Sequence, residues 1–187
     1  MIDDALDLRT AVFDALGDSA KADTWPRMVT MAERRLNQVL RTNDQITDAT
    51  VTIASGSGTL PTDFIEMIRV GSVDRPYREV YAANYVSTGV YEYAIQGSTI
   101  YATGEDGSLA IKYFAALTTL ANDLTATNWL LDSAPEVYLY AILAMASLGD
   151  LEARRAYASQ YEDALRGLKT ASDRKRFGNS CVQVFGP

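Results

Sequence analysis

The residues of this chain best placed to do chemistry are three adjacent carboxylate pairs, Asp3/Asp4, Glu105/Asp106 and Glu162/Asp163. Glycoside hydrolysis needs two acids facing each other across a cleft, about 5–10 Å apart, with one pKa raised. Sequence neighbours on a helix face or a turn do not meet that need and read as solvated acids. A second candidate is the stretch Ala54 to Pro61, ASGSGTLP. A phosphate cradle requires a Lys after the glycines and a helix to follow. This stretch has neither and reads as a hairpin turn. Histidine is absent, which removes the commonest general base and metal ligand, and with it any Ser–His triad. Ser–Lys chemistry stays open by composition, but no spacing suggests it. The single cysteine, Cys181, excludes an intrachain disulfide and a Cys-rich metal site. A lone thiol also suits synthesis in a reducing cytoplasm. The expectation is a protein without catalytic residues, metal or cofactor.

Charge points toward contact surfaces instead. The 187 residues carry 17 Lys and Arg against 24 Asp and Glu, a formal net charge of −7. That argues against a dedicated nucleic-acid binder, which needs a basic face, though not against a surface past which DNA slides. Cations cluster at Arg34, Arg35 and Arg41, and again at Arg174, Lys175 and Arg176. Each cluster reads either as a solvated face or as an ion-pairing face for an acidic partner. The second also gains a few tenths of a kcal/mol from its place near a helix C-terminus. Beyond it, the apolar Val182, Val184 and Phe185 have no evident home within the chain. Of eleven tyrosines, seven fall between Tyr77 and Tyr113. Some must be core, and others fit an interface, because Tyr joins a large apolar body to a polar tip.

Periodicity supplies the elements that hold these residues. Asp3 to Leu16 reads as a short amphipathic helix closed by Gly17. Thr24-Trp25-Pro26 reads as a cap and first turn leading to a helix that runs to about Arg41. Its apolar face is Trp25, Met28, Val29, Ala32, Leu36, Val39 and Leu40, with Glu33, Arg34, Asn37 and Arg41 opposite. From Asn43 to Ala116 the chain favours β-branched and aromatic residues: Thr50 to Ile53, Phe64 to Val70, Arg78 to Tyr81, Tyr91 to Ile95, Thr99 to Ala102 and Leu109 to Tyr113 read as strands. Gly97-Ser98 marks a hairpin, and Ala82 to Thr88 a helical turn. Ser133 and Glu136 have capping-box spacing around Pro135, opening a helix to Leu148. Asp150 can cap the last helix, Leu151 to about Ala171. The N-terminus, acidic and without an apolar stretch, does not read as a signal peptide.

The helix from Val137 to Ala146 is apolar on every face. A membrane span needs about 20 apolar residues, and this run is half that. It is either a central core helix or one shared with a neighbouring subunit, and Ala141, Ala144 and Ala146 allow close approach. The expected fold class is α+β: a bundle of about four helices, from residues 1–42 and 118–171, with a small antiparallel β-meander or sandwich inserted at 43–117 and an extended tail at 172–187.

An ordered set of motifs resembles the head–tail adaptor, or connector, proteins of short-tailed bacteriophages. It comprises Ala32-Glu33-Arg34-Arg35-Leu36 with Leu40-Arg41, then Leu60-Pro61-x-Asp63-Phe64 and Tyr93-x-Ile95-x-Gly97-x-x-Ile100. Lys112-Tyr113-Phe114, Leu124, Asn128-Trp129-Leu130-Leu131, Pro135 and Tyr138-Leu139-Tyr140 complete it. The resemblance implies a structural virion protein at the head–tail junction, made in the host cytoplasm, with no membrane partner. It implies a ring, usually of about twelve copies with heterologous contacts, docked under the portal protein. Such a ring extends the channel for double-stranded DNA, which passes without specific binding, and offers tail (nozzle) proteins an attachment surface. Arg34, Arg35 and Arg41 would then serve a subunit contact, and Arg174, Lys175, Arg176, Val182, Val184 and Phe185 a portal contact. The alternatives are a tail-associated cell-wall hydrolase and a stopper or tail-completion protein further down the tail.

Overall fold

In the computed structural model, which describes residues 2–17, 23–82, 85, 91–104, 106–147 and 149–177, helices frame a run of strands. The order is α1 (Ala5–Leu16), α2 (Trp25–Val39), β1 (Ile46–Ile53), β2 (Ser57–Thr59), β3 (Phe64–Val70), β4 (Arg78–Glu79), β5 (Glu92–Gln96), β6 (Thr99–Ala102), β7 (Gly107–Ala115), α3 (Trp129–Ser133), α4 (Pro135–Ala146) and α5 (Leu151–Phe177). The fold is α+β. Two compact units divide the chain: Met1–Asp44 with Leu117–Pro187, and Gln45–Ala116.

In the helical unit, Asp4 caps α1 by accepting from the Asp7 N–H at 2.9 Å. A helix leaves its first N–H groups without internal partners. Here Ala5 and Leu6 donate theirs to the carbonyls of Ala126 (3.0 Å) and Leu124 (2.8 Å), which pins the segment before α3 to α1. Gly17 closes the helix at φ 63. In α2, Pro26 stands in the first turn, but Thr24 makes no capping bond; its hydroxyl donates to the Met28 sulfur at 3.2 Å. Three residues of α2 depart from the helical-wheel expectation, Asn37 among them, which is half-buried. Val39 is 37% exposed and Glu33 only 6%.

The all-apolar helix α4 lies at the centre of this unit, packed against α1, α2, α3 and α5. It buries Val137, Tyr138, Ala141, Ile142 and Leu143, with Leu139, Tyr140 and Met145 against the same core. Burial on several sides is what an apolar circumference requires. The expected capping box does not form. Ser133 belongs to α3, its hydroxyl donating to the Trp129 carbonyl at 2.7 Å, and Ala134 precedes α4 without a side-chain cap. Asp150 does cap α5, accepting from the N–H groups of Glu152 and Ala153 at 3.0 Å. α5 runs past Ala171 to Phe177, where Ser172 is buried and its hydroxyl accepts from the Asn43 N–H at 2.9 Å. Among the described residues no helix is long and apolar enough to cross a membrane.

The β unit has two sheets, ordered β1-β7-β3 and β2-β6-β5-β4. Their inner faces share one core, with Val51, Ile53, Val70, Ile111 and Tyr113 from the first and Tyr93, Ile100 and Ala102 from the second. The glycine-rich loop is the turn by which the chain passes from β1 to β2: Ser55 and Gly56 both have positive φ, 52 and 76, as a tight hairpin turn demands. β4 pairs with β5 in parallel, unlike the all-antiparallel arrangement expected. The helical turn expected at Ala82 to Thr88 lies mostly outside the described residues.

Candidate interaction surfaces

The motif residues build the interior. Leu60 N–H donates to the Ser98 carbonyl at 2.9 Å and Phe64 N–H to the Pro61 carbonyl at 3.1 Å, so LPxDF is a turn tied to the β5–β6 hairpin. Asp63 then accepts twice from the far end of β7: its carbonyl from Ala116 N–H at 2.7 Å and its carboxylate from the Tyr113 hydroxyl at 3.0 Å. Burial and that carboxylate push the Tyr113 hydroxyl up to about 12. Tyr93, donating to Glu79 at 3.3 Å, is raised to about 12 for the same reasons, burial first.

In the helical unit the same kind of work falls to Glu33, Asn37, Asn128 and Tyr138. The Glu33 carboxylate accepts from Leu120 N–H (2.7 Å), the Thr119 hydroxyl (2.7 Å) and the Tyr138 hydroxyl (3.4 Å). Asn37, one turn on, accepts from Leu117 N–H at 3.0 Å. Together they stitch the segment after β7 along α2. Asn128 caps α3 by accepting from Leu131 N–H, and its amide donates to the Thr118 carbonyl (2.7 Å) and the Tyr138 hydroxyl (2.9 Å). Burial raises the Glu33 pKa against the pull of these three donors, and raises Tyr138 strongly. Both Glu33 and Asn37 were expected on a solvent face. A long-range need for acceptors, with no local signal in α2, turned them inward.

The outward cations are placed differently. Arg34 and Arg35 are exposed on α2, and the Arg35 guanidinium lies 5.6 Å from the Tyr161 ring centre. Beside it Ala141, Ala144 and Ala158 floor a dimple of about 30 Å³. Met31, Arg34, Arg35, Gln38 and Val39 form one exposed stripe at helical spacing, with Met31 48% exposed. Sequence reasoning missed this stripe because Val39 also fits the buried face. Arg41, half-buried, donates to the Asn37 carbonyl at 3.0 Å. Arg174 and Lys175 are exposed on α5, with the Lys175 ammonium 3.2 Å from Asp44. Arg176 continues the helix; Val182, Val184 and Phe185 lie outside the described residues. The structure therefore brings Arg34 and Arg35 together and leaves Arg174 and Lys175 on another element.

The carboxylate pairs serve local structure where they are described. Asp4 is a helix cap, Asp3 donates its N–H to Asp7 at 3.2 Å, and Asp163 pairs with Arg166 at 3.1 Å. Asp106 accepts from Gly56 N–H at 3.2 Å, holding the β1–β2 turn. No group of three or more acids or thiols able to hold a metal occurs among the described residues.

The motif residues thus brace the two cores, while the outward face of α2 mixes apolar and charged groups. The chain belongs to the SU10 adaptor protein family, whose model matches residues 3–183. It is thus a structural adaptor protein of the phage head–tail type. No curated protein matches the chain.

Proposed function

We propose that the chain assembles as a ring of about twelve copies beneath the portal protein. There it extends the DNA channel and gives tail proteins their attachment surface. Membership of the adaptor family over nearly the whole chain carries this reading. The exposed stripe of α2 supports it. In a closed ring each contact joins two different faces, and Arg beside apolar side chains suits the centre of such a contact. A net charge of −7 favours a channel wall that repels phosphate and so lets DNA slide. Residues 174–187, basic and then apolar, are the proposed portal contact.

Electron microscopy of the chain mixed with its portal tests this. A coaxial ring is the expected result, and no association at micromolar concentration overturns the reading. Charge reversal at Arg34 and Arg35 to Glu is expected to abolish rings while shifting the melting temperature by only about 2 °C, because both side chains are exposed. Rings that form unchanged remove α2 from the contact. A chain ending at Phe177 is expected to lose portal binding in the same assay.

A further inference from the structure

The first two helices carry opposite charge outward. On α1 the exposed positions Leu6, Thr10 and Asp14, with Asp3 just ahead of the helix, recur at helical spacing. The half-buried Asp7 lies among them. The one base of α1, Arg9, is half-buried and lines a hollow beside Trp25 and Pro26 instead. α2 is the reverse. Arg27, Met31, Arg34, Arg35 and Gln38 are exposed at the same kind of spacing, and its one acid, Glu33, is buried. Each face also holds a large apolar side chain among its charges: Leu6 is 41% exposed and Met31 48%.

These charges are open. Among the described residues, Arg27, Arg34 and the carboxylates of Asp3 and Asp14 enter no ion pair or side-chain hydrogen bond. Arg35 rests against the Tyr161 ring, 5.6 Å from its centre, a contact that uses none of its N–H donors. The faces match in extent: Leu6 and Asp14 stand about 12 Å apart along α1, and Arg27 and Arg35 the same along α2. Both helices pack against α4 with their buried sides, so the two faces look away from it in different directions. The long outward face of α5 mixes signs instead. Arg154, Arg155, Glu162, Asp163, Arg166 and Lys169 are all exposed there, and Asp163 already pairs with Arg166.

We propose that the acidic face of α1 in one copy docks on the basic face of α2 in the next copy. This rests on the ring reading, in which every contact joins two different faces. Opposite sign steers the copies together and fixes which side meets which. Leu6 and Met31 supply the apolar centre that such a contact keeps dry. Like faces repel: α1 against α1 sets acid on acid, and α2 against α2 sets Arg on Arg. Pairing of either helix with its own copy is therefore disfavoured, and the charge pattern selects a head-to-tail order.

Exchange of the charges tests this, with the full chain and its portal observed by electron microscopy. Asp3→Lys with Asp14→Lys turns the α1 face net basic and leaves Asp7 in its first turn. Arg34→Glu with Arg35→Glu turns the α2 face net acidic. Each variant alone is expected to lose its rings, with the contact between copies weakened about 100-fold. All four positions are exposed, so melting within about 3 °C of the parent is expected and calorimetry checks it. Mixed in equal amounts, the two variants are expected to form rings again, because alternating copies set unlike signs at every contact. One chain carrying all four changes is expected to do the same. If both variants are defective and neither the mixture nor the combined chain recovers, each face meets something else and the pairing is overturned. Rings formed unchanged by either variant also overturn it. In both cases the rings of the parent leave the adaptor reading standing. A parent chain that never joins the portal overturns both. A free dimer that either variant dissolves and the mixture restores overturns the head-to-tail order in favour of a reciprocal two-fold contact.

Discussion

Replacing Glu33 by Ala is expected to cost the helical unit about 3–5 kcal/mol and to lower the melting temperature by roughly 10 °C. The carboxylate is the shared acceptor for the Leu120 N–H and the Thr119 and Tyr138 hydroxyls. Leu120 and Tyr138 are fully buried, so their donors cannot turn to water once the acceptor is gone. Each stranded donor costs about 1–3 kcal/mol. Urea unfolding followed by tryptophan fluorescence measures the loss directly, because Trp25 and Trp129 both belong to this unit. A cost below about 1 kcal/mol would show that the three donors find other partners. Glu33→Gln keeps one acceptor oxygen and is expected to cost less. Its pH dependence has a definite sign. Burial raises the Glu33 pKa above 4.5, so between 4.5 and the folded value the native state holds a proton the unfolded chain has released. The stabilisation tied to that proton is fully present below 4.5 and is lost as pH rises through the folded value. Glutamine does not titrate. The stability advantage of the parent chain over the Glu33→Gln variant is therefore expected to shrink from acid toward neutral pH. A difference that grows on the way to neutral pH contradicts the burial argument.

Local signals were legible where one short stretch sets the geometry. Gly17 after Leu16, Pro26 opening α2, Asp150 before α5 and Gly97-Ser98 between β5 and β6 each act through their immediate neighbours, and each element stands where the pattern puts it. The apolar circumference of α4 likewise announced a helix covered on several sides. What escaped was decided at long range. Ser133 and Glu136 have the spacing of a capping box, but Asn128 starts a separate turn of helix one step earlier and Ser133 is used up in it. The pairing of β4 with β5 in parallel joins strands whose order in the sequence carries no mark of direction. Glu33 sits among polar residues on the wheel, and only the arrival of Thr119 and Leu120, more than eighty positions later, makes it an interior residue. The surfaces were legible to a similar degree. Arg34 and Arg35 are exposed as their type suggests. Val39 beside them was placed on the buried face, because apolar residues on a helix do not reveal which of two neighbouring faces is covered. The place of β1 at the end of its three-stranded sheet depends on strand order, which is fixed by its pairing with β7.

Gly58→Ala is expected to be among the most damaging single-methyl changes in the β unit, at about 2–4 kcal/mol. A Cβ at this position in β2 would stand 2.6 Å from Val51 Cγ1, 2.7 Å from the Thr52 carbonyl oxygen and 2.9 Å from Ile53 Cδ1. The side-chain atoms can rotate, but the Thr52 carbonyl is backbone of β1. Relief therefore requires the β1–β2 hairpin to open, which pulls Val51 and Ile53 from the shared core. Gly71→Ala combines two costs: φ of +83, which an L side chain resists by about 1–2 kcal/mol, and a Cβ 2.5 Å from the Arg75 carbonyl oxygen. Gly167→Ala provides the opposite sign. It lies exposed within α5, and an added Cβ meets nothing within 4 Å. The methyl there brings only helix propensity and is expected to stabilise by about 1 kcal/mol. Calorimetry on the three variants checks the ordering, and faster amide exchange along β1, β2, β5 and β6 in Gly58→Ala checks the location. If Gly58→Ala melts with the parent, the close approach of β2 to β1 is not a constraint on the fold.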